Sequence, residues 1–545
     1  MLSFRKPWPI LVLLVAVATT LTACGPAVTP TAEVIKEQVE VTRIVAGTPE
    51  VVVVTPTPEP FKPQGTLIVA LSADVNSLEV PYAVEFNAGV TSWSMYDSLL
   101  FHTLEGPVAP ALAESWELSE DGKTYTFHLR KDVTFHNGEP FTADAVVLSW
   151  QTYSQPDVTY ASSWTIAESV EKVDDYTVKM TTPDVNPFFL NEMAINWVMI
   201  PPKYYAEVGP AGFAEHPVGT GPFMLEEWVK GDHVTVKANP TYWREGYPLV
   251  ERVIFKPIPE SATRLAAIRT GEADIATRLS SEEALSLMGE PGVQIIKTPL
   301  DRIQYIGFNN MSTGQGTPIM DRNVRLAINY AIDREAIVAS LFDNAAVALS
   351  NLFSTNNPGY NPDEVFSYDP EKARQLLAEA GYPNGFETGL ACPDGAYLNV
   401  NETCEAVVGY LAEIGITTDL QLREANKHWD MEVAKELEPL FFDSWGSSNG
   451  EAIQRLRGTL DEGEAYANWY DPELVALIRQ AYTTVDPGER AKVYSEIQHK
   501  MFEDPPFLYL LQEVSFAAVN TRVSGLVVYP YEFYPMWNIS IGEGD

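Results

Sequence analysis

Two kinds of apolar patterning alternate along the chain. Leu67-Ile68-Val69-Ala70-Leu71 is a continuous apolar run of strand length, the pattern of a strand covered on both faces. Residues 123–130 alternate in a strand-like way, and Asp121-Gly122 just before them is a hairpin turn signal. Val234-Thr235-Val236-Lys237 and Val253-Ile254-Phe255-Lys256 read as further strands. Helical periodicity is expected over 90–100, from Thr142 as N-cap, and over 261–270 with Gly271 as the stop. Between 320 and 520 the spacing predicts helices over 323–342, 370–380, 404–414, 472–482 and 489–502. Asp333 and Arg334 are expected at a helix end, and Gly381 and Gly415 at C-termini. Strands interleaved with helices imply an α/β fold whose sheets are covered by helices.

The N-terminus reads differently. Arg5 and Lys6 precede an apolar stretch from about Ile10 to Leu21, which ends in Leu21-Thr22-Ala23-Cys24. A basic start, a short apolar run and small residues before the cut form an export signal over 1–23. The run is interrupted by Thr19, Thr20 and Thr22 and is shorter than the ~20 residues of a membrane span. The cysteine at the cut resembles the lipobox of bacterial lipoproteins, which implies that Cys24 carries the lipid anchor. A single acyl chain holds a protein only marginally, and a lipobox cysteine carries more than one. Residues 24–65, with Thr55-Pro56-Thr57-Pro58-Glu59-Pro60, read as an extended tether spanning roughly 35 Å on average. Val51 to Val54 is a β-prone patch within it. The protein is therefore expected at the outer face of the cytoplasmic membrane, periplasmic or extracellular.

Composition narrows the function. A chain of 545 residues is long enough for about three or four domain-sized units. Its net charge of -38 argues against nucleic acid and reads as a solvated acidic surface; a monomer is expected. Only three cysteines occur, and with Cys24 assigned to lipid, Cys392 and Cys404 remain. An exported compartment permits a disulfide between them, worth about 3 kcal/mol on the chain-entropy model; two reduced thiols are the alternative. No pair among the seven histidines has helix spacing for zinc, and there is no Cys-x-x-Cys. Gly219-Thr220-Gly221-Pro222 lacks the Lys-Ser/Thr of a phosphate loop, and there is no Gly-x-Ser-x-Gly elbow. Neither a metal, a cofactor nor an enzyme activity is expected, an exported hydrolase being the weaker alternative.

A series of blocks carries a family resemblance. They are Pro110-Ala-Leu-Ala-Glu-Ser-Trp116, Asp121-Gly-Lys-Thr-Tyr-Thr-Phe-His-Leu-Arg130, Val133-Thr-Phe-His-Asn-Gly138 and Phe141-Thr-Ala-Asp-Ala-Val146. Pro217-Val-Gly-Thr-Gly-Pro-Phe223, Asn239-Pro-Thr-Tyr-Trp243, Thr270-Gly-Glu-Ala-Asp-Ile275, Val324-Arg-Leu-Ala-Ile-Asn-Tyr-Ala-Ile-Asp-Arg334 and Tyr368-Asp-Pro-Glu-Lys-Ala-Arg374 follow in order. Together they resemble family 5 extracellular solute-binding proteins, the peptide- and nickel-type receptors of ABC importers. Cys392 and Cys404 also resemble a cysteine pair of many members, which supports the bridge.

The resemblance implies a two-lobed periplasmic-binding-protein-like fold (type II, cluster C) with an extra domain inserted in lobe I. Lobe I is expected over 66–96, 217–308 and 515–545, the insert over 97–216 and lobe II over 309–514, with crossovers near Phe308-Asn309 and Ser515. Trp116, Phe127, Phe135 and Phe141 read as core, and Gly219 and Gly221 as permitting a tight turn. A ligand, oligopeptide first and oligosaccharide second, is expected between the lobes, with ABC permease subunits as partners; a sensory role is a further alternative. The ligand-facing segment resembles Asp443-Ser-Trp-Gly-Ser-Ser-Asn-Gly450, with Trp445 as a wall and Ser448 and Asn449 beside it. Asn468 and Trp469 resemble a second lining segment. Phe86 and Asn87 are expected as ligand contacts on the opposing rim, and Phe308 and Asn309 as ligand contacts at the crossover. Ser448 stands where peptide receptors place the Asp that binds a ligand ammonium, which leaves Glu451 or another carboxylate to replace it.

Overall fold

A computed structural model describes residues 39–45, 48–54, 62–83, 86–103, 108–447 and 450–542. The chain divides into two compact units, 1–61 and 62–545. In the first, Val39–Val45 and Thr48–Val54 pair antiparallel, with Val39 opposite Val54. The unpaired tether expected over 24–65 is corrected to this extent. Val, Thr and Ile between the prolines favour pairing, and Pro49 is tolerated because both strands of a ribbon are edges. Cys24 and the export signal lie outside the described residues.

The second unit is built on one long mixed sheet. Its main strands are β1 (Thr66–Leu71), β2 (Phe223–Val229), β3 (His233–Ala238), β4 (Arg252–Pro257), β5 (Ile275–Leu279) and β6 (Val293–Phe308). β7 (Glu387–Pro393), β8 (Thr417–Arg423), β9 (Leu440–Gly446) and β10 (Phe507–Asn520) complete it. The spatial order is β2-β3-β4-β1-β5-β10-β6-β9-β7-β8. β1 is parallel to both of its neighbours, β4 and β5, which is why its sequence is a nearly unbroken apolar run.

This single sheet carries two large apolar cores. The first gathers Leu67, Val69, Phe127, Phe135, Phe141, Phe255 and Val519, and takes in residues from 113–213 as well as from β1 to β5. The second gathers Ile303 to Phe308, Ile328, Leu411, Phe442, Leu456 and Ile497. The result is a two-lobed α/β fold. Only β6 and β10 run through both halves, paired antiparallel along most of their length. Ile296 of β6 packs on the first core and Ile303 lies in the second; the ladder with β10 shifts register between Pro299 and Ile303. The change of core therefore falls at about 299–302, opposite 512–514. Phe308 and Asn309, expected at the crossover, lie well inside the second half.

Within 113–181 a separate four-stranded antiparallel sheet forms from Ala113–Leu118, Thr124–Leu129, Ser169–Asp174 and Thr177–Thr181. It is tied back to the rest through His136. Gly219 N donates to His136 Nδ1 (3.2 Å), so Nε2–H donates to Gly221 O (3.0 Å), and Gly221 N donates to Met95 O (3.0 Å). This fixes one neutral tautomer, and burial pushes the imidazole down to about 4, opposed by its bond to Gly221. Gly219 and Gly221 are required by this close approach and not by a tight turn: a Cβ at either would overlap the Met95 backbone.

Other expectations are refined. The helix expected over 323–342 is two, Arg322–Tyr330 and Arg334–Leu341. Asp333 begins the second, its carboxylate accepting from Ala336 N, and Arg334 is buried on the carbonyls of Asn329, Phe366 and Tyr509. The helix expected over 90–100 is Phe86–Ser92, because Leu100–His102 is needed as a strand. Thr142 occupies the N-cap of Ala143–Tyr153 without a side-chain capping bond. Cys392 and Cys404 form a disulfide joining β7 to the helix Val400–Glu413.

Glu79 is buried in the first half, where the Tyr153 hydroxyl donates to its Oε2 (3.1 Å). Burial pushes its carboxyl up to about 7, partly opposed by that hydrogen bond. Because the folded form holds its proton more tightly than the unfolded chain, stability falls as pH rises from about 4.5 to about 7 and stays lower above. Glu79→Gln is expected to leave the urea midpoint unchanged at pH 4 and to raise stability at pH 8 by up to roughly 3 kcal/mol. An equal midpoint shift at both pH values would contradict this.

Candidate functional site

Where β6 changes cores, a crevice of about 500 Å³ opens. Its floor is Leu300, Asp301 and Arg302 of β6. One wall comes from the end of β9, where Arg302 lies opposite Gly446 and Ile303 opposite Trp445. The other wall comes from the first half: Gly89 and Trp93 on and after α1 (Phe86–Ser92), Arg278, and Tyr531 with Glu532. Ile195, at the end of α2 (Phe189–Ile195), and Asn196 close it from the side. A second hollow of about 530 Å³ continues from it, sharing Trp445 and Gln454. That hollow lies between Phe188 and Glu192 on one side and, on the other, Arg457 of α3 (Ile453–Leu460) and Tyr482 of α4 (Pro472–Thr483).

The floor is fixed by a buried ion pair. Arg455, fully buried on α3, donates to Asp301 Oδ1 (3.1 Å), Asn357 Oδ1 (2.9 Å), Leu352 O (2.7 Å) and Trp445 O (3.2 Å). Asp301 also accepts from Asn357 Nδ2 (2.9 Å), and its carbonyl accepts from Ser447 N (2.7 Å). Every polar atom of the pair is engaged, the condition under which a buried pair is tolerated. The Trp445 backbone is thereby held, and its indole meets Tyr466 edge-on at 5.5 Å. Gly458 leaves room for that indole, since a Cβ there would overlap it.

Charge in the crevice is nearly balanced. Arg278 pairs with Glu532 through Nε to Oε1 (3.1 Å), and Asp301 is matched by Arg455. Arg302 is different: its Nη1 donates to Ser444 O (3.0 Å), and no carboxylate of the described residues lies within ion-pair distance. It leaves one cationic fork available to a bound anion. Behind it, buried Asp443 accepts from Tyr397 (2.7 Å) and Tyr305 (3.2 Å); burial raises its carboxyl above the usual range, opposed by these bonds and by Arg302. Across the hollow, Gln454 Nε2 donates to Glu192 Oε1 (2.7 Å), Phe188 stacks on Tyr482 (5.7 Å), and the Arg490 guanidinium covers Phe188 (4.9 Å). Burial raises the Glu192 carboxyl, opposed by its bond to Gln454.

Of the residues singled out from sequence, the structure brings Trp445 into the crevice. α1 presents Gly89 and Trp93 there, whereas Asn87 is buried against Ser72 (3.4 Å); the Phe86 side chain, Ser448 and Asn449 lie outside the described residues. Phe308 is buried in the second core, and the Asn309 amide donates to the Lys435 and Leu437 carbonyls, so neither faces a ligand. Asn468 is buried and donates to Glu432 O (3.4 Å) and Tyr466 O (3.0 Å). Trp469 packs in the second core beneath Arg325 (4.5 Å). Glu464, Ala465 and Tyr466, just before them, are the lining residues from that segment. Glu451 is committed to Arg490 (2.6 and 2.7 Å) and to the Tyr494 hydroxyl (2.8 Å). Trp93, Arg302, Glu192, Gln454 and Tyr531 were not singled out. Arg302 had a signal: with Asp301 it forms a charged pair immediately before the Ile303-Gln304-Tyr305-Ile306 run. No helix among the described residues is long and apolar enough to cross a membrane, and among them no cluster of His, Cys, Asp and Glu could hold a metal ion.

Comparison with known proteins agrees with this architecture. Haem-binding protein A of Haemophilus influenzae is 31% identical over 485 residues, covering 83% of this chain and 87% of that protein. The dipeptide-binding protein of Escherichia coli K12 is 31% identical over 532 residues, covering 89% and 93%. Among solved structures, HbpA2 from Haemophilus parasuis has a TM-score of 0.81 at 28% identity, covering 88% of this chain and all of that one. The periplasmic binding protein DppA of Helicobacter pylori, in complex with the peptide STSA, has a TM-score of 0.71 at 25% identity, covering 89% and 99%. Residues 107–467 match bacterial extracellular solute-binding proteins, family 5 (middle region). The chain belongs to family 5 of the bacterial extracellular solute-binding proteins, receptors that bind a solute for an ABC importer.

Proposed function

We propose that the protein is a lipid-anchored receptor that encloses an oligopeptide-like solute bearing a carboxylate and hands it to ABC permease subunits without chemical change. The observation that carries this is Arg302: a guanidinium without a carboxylate partner among the described residues, lining the same crevice as Trp445, on the strand that joins the two halves. A peptide offers such a carboxylate together with side chains for an aromatic wall. Two relatives are named for glutathione and dipeptides, which both carry carboxylates. A neutral oligosaccharide is the second reading, favoured by the Trp93 and Trp445 walls with the Asn196 and Gln454 amides nearby. For the domains, we take lobe I as 66–96, 217–300 and 514–545, the insert as 97–216 and lobe II as 301–513. Cys24 is taken as the lipid anchor, with the permease reached by the closed form.

Calorimetry of short peptides with free or amidated C-termini tests the ligand. Arg302→Met is expected to weaken free-acid peptides at least tenfold and to leave amidated ones within a factor of two. Saturable sugar binding with no peptide binding would select the oligosaccharide. Trp445→Ala is expected to weaken the same free-acid peptides by about 2 kcal/mol, and Gly458→Ala to weaken them in the same direction by displacing the indole. Unchanged affinity in folded variants would return Trp445 to a packing role. For the anchor, globomycin is expected to accumulate the precursor, and normal processing in its presence would count against lipidation.

A further inference from the structure

Behind the crevice lies an aromatic chamber of about 60 Å³. Trp93, Ile195 and Tyr531 line both spaces, so they stand between crevice and chamber. Phe101, Phe533 and Trp537 form the inner walls, with Trp93 meeting Phe533 edge-on at 5.2 Å. One ordered water needs roughly 10–15 Å³, so the chamber has room for a group of several heavy atoms but not for a whole peptide.

Its polar groups fall into two classes. Asp97 is satisfied, accepting from Tyr242 (3.0 Å), Trp243 Nε1 (2.9 Å) and Thr220 (3.4 Å). The Arg244 guanidinium lies over Phe101 (4.4 Å) and Trp243 (4.7 Å), and so forms part of the aromatic wall. By contrast, the Nε1–H of Trp93, which lines both chamber and crevice, is buried without a hydrogen-bond partner among the described residues. Buried donors left unmet are costly, and a guest with an acceptor atom removes that cost. Aromatic rings presenting edges and faces favour another ring in offset or edge-on contact.

We infer that this chamber is a specificity pocket for an aromatic end group carrying a hydrogen-bond acceptor, such as a phenol ring, on a ligand whose remainder occupies the crevice. The inference rests on the peptide reading above for the remainder of the ligand, but not for the chamber itself. Ala111 lines the chamber and not the crevice, so Ala111→Leu fills the one without touching the other.

Two measurements test it separately. By calorimetry, Ala-Tyr is expected to bind at least tenfold more tightly than Ala-Ala, and Ala111→Leu to abolish that difference while leaving Ala-Ala affinity unchanged. Equal affinities in the native protein, or a preference that survives Ala111→Leu, overturn the inference. If no dipeptide binds at all, the peptide reading fails, and p-cresol alone then tests the chamber by tryptophan fluorescence. Saturable millimolar binding of p-cresol that is lost in Ala111→Leu supports the chamber; no saturable binding overturns it. Should Ala111→Leu not fold, p-cresol against toluene on the native protein serves instead: p-cresol is expected to bind several-fold more tightly, and equal affinities would overturn the acceptor requirement.

Discussion

The buried pair of Asp301 and Arg455 is the constraint on which the crevice depends. Asp301 belongs to the strand that joins the two halves, Arg455 to a helix of the second half, and both are nearly inaccessible to solvent. A buried ion pair adds little net stability over well-packed apolar groups, yet losing one partner leaves an uncompensated charge. The pair therefore acts through geometry. It locks the middle of β6, the turn around Asn357 and the backbone of Trp445 into one arrangement. The aromatic wall and the unpaired Arg302 are positioned as neighbours of that lock.

Two cores on one sheet explain how the halves are coupled. Where β6 and β10 pass from one core to the other, their ladder is irregular. Local ladder irregularity bends and twists a strand, and such places suit hinge motion better than regular pairing does. Bonds also cross the far side of the crevice, from Gln454 to Glu192 and from Phe188 to Tyr482 and Arg490. These contacts span the hollow and would have to break if it widened.

Much of the fold was legible in the sequence because periodicity reports local burial. β1 was readable as a doubly covered strand because both of its neighbours are parallel to it, and Gly271 as a helix stop because its φ is positive. The site was far less legible. Trp445 and Trp469 look alike in sequence, yet one lines the crevice and the other packs beneath Arg325; only the tertiary position of the second core separates them. Asn309 read as a polar group free for a ligand, whereas its amide is consumed by two carbonyls from a segment more than a hundred residues away. Asp333 and Arg334 read as a helix end, and Asp333 does cap one through Ala336 N, yet the apolar pattern runs on across 323–342, so periodicity alone joined two helices into one. The chamber residues come from five separated stretches of chain, so no local pattern announces them.

The His136 clamp on Gly219 and Gly221 has a mechanical corollary. It fastens the inserted segment to the backbone around Met95, and the shared first core cements the same junction. Residues 113–213 and the β1 half thus share one core and one clamp, so any shift of the Ile195 side of the cavity strains the backbone around Met95 as well.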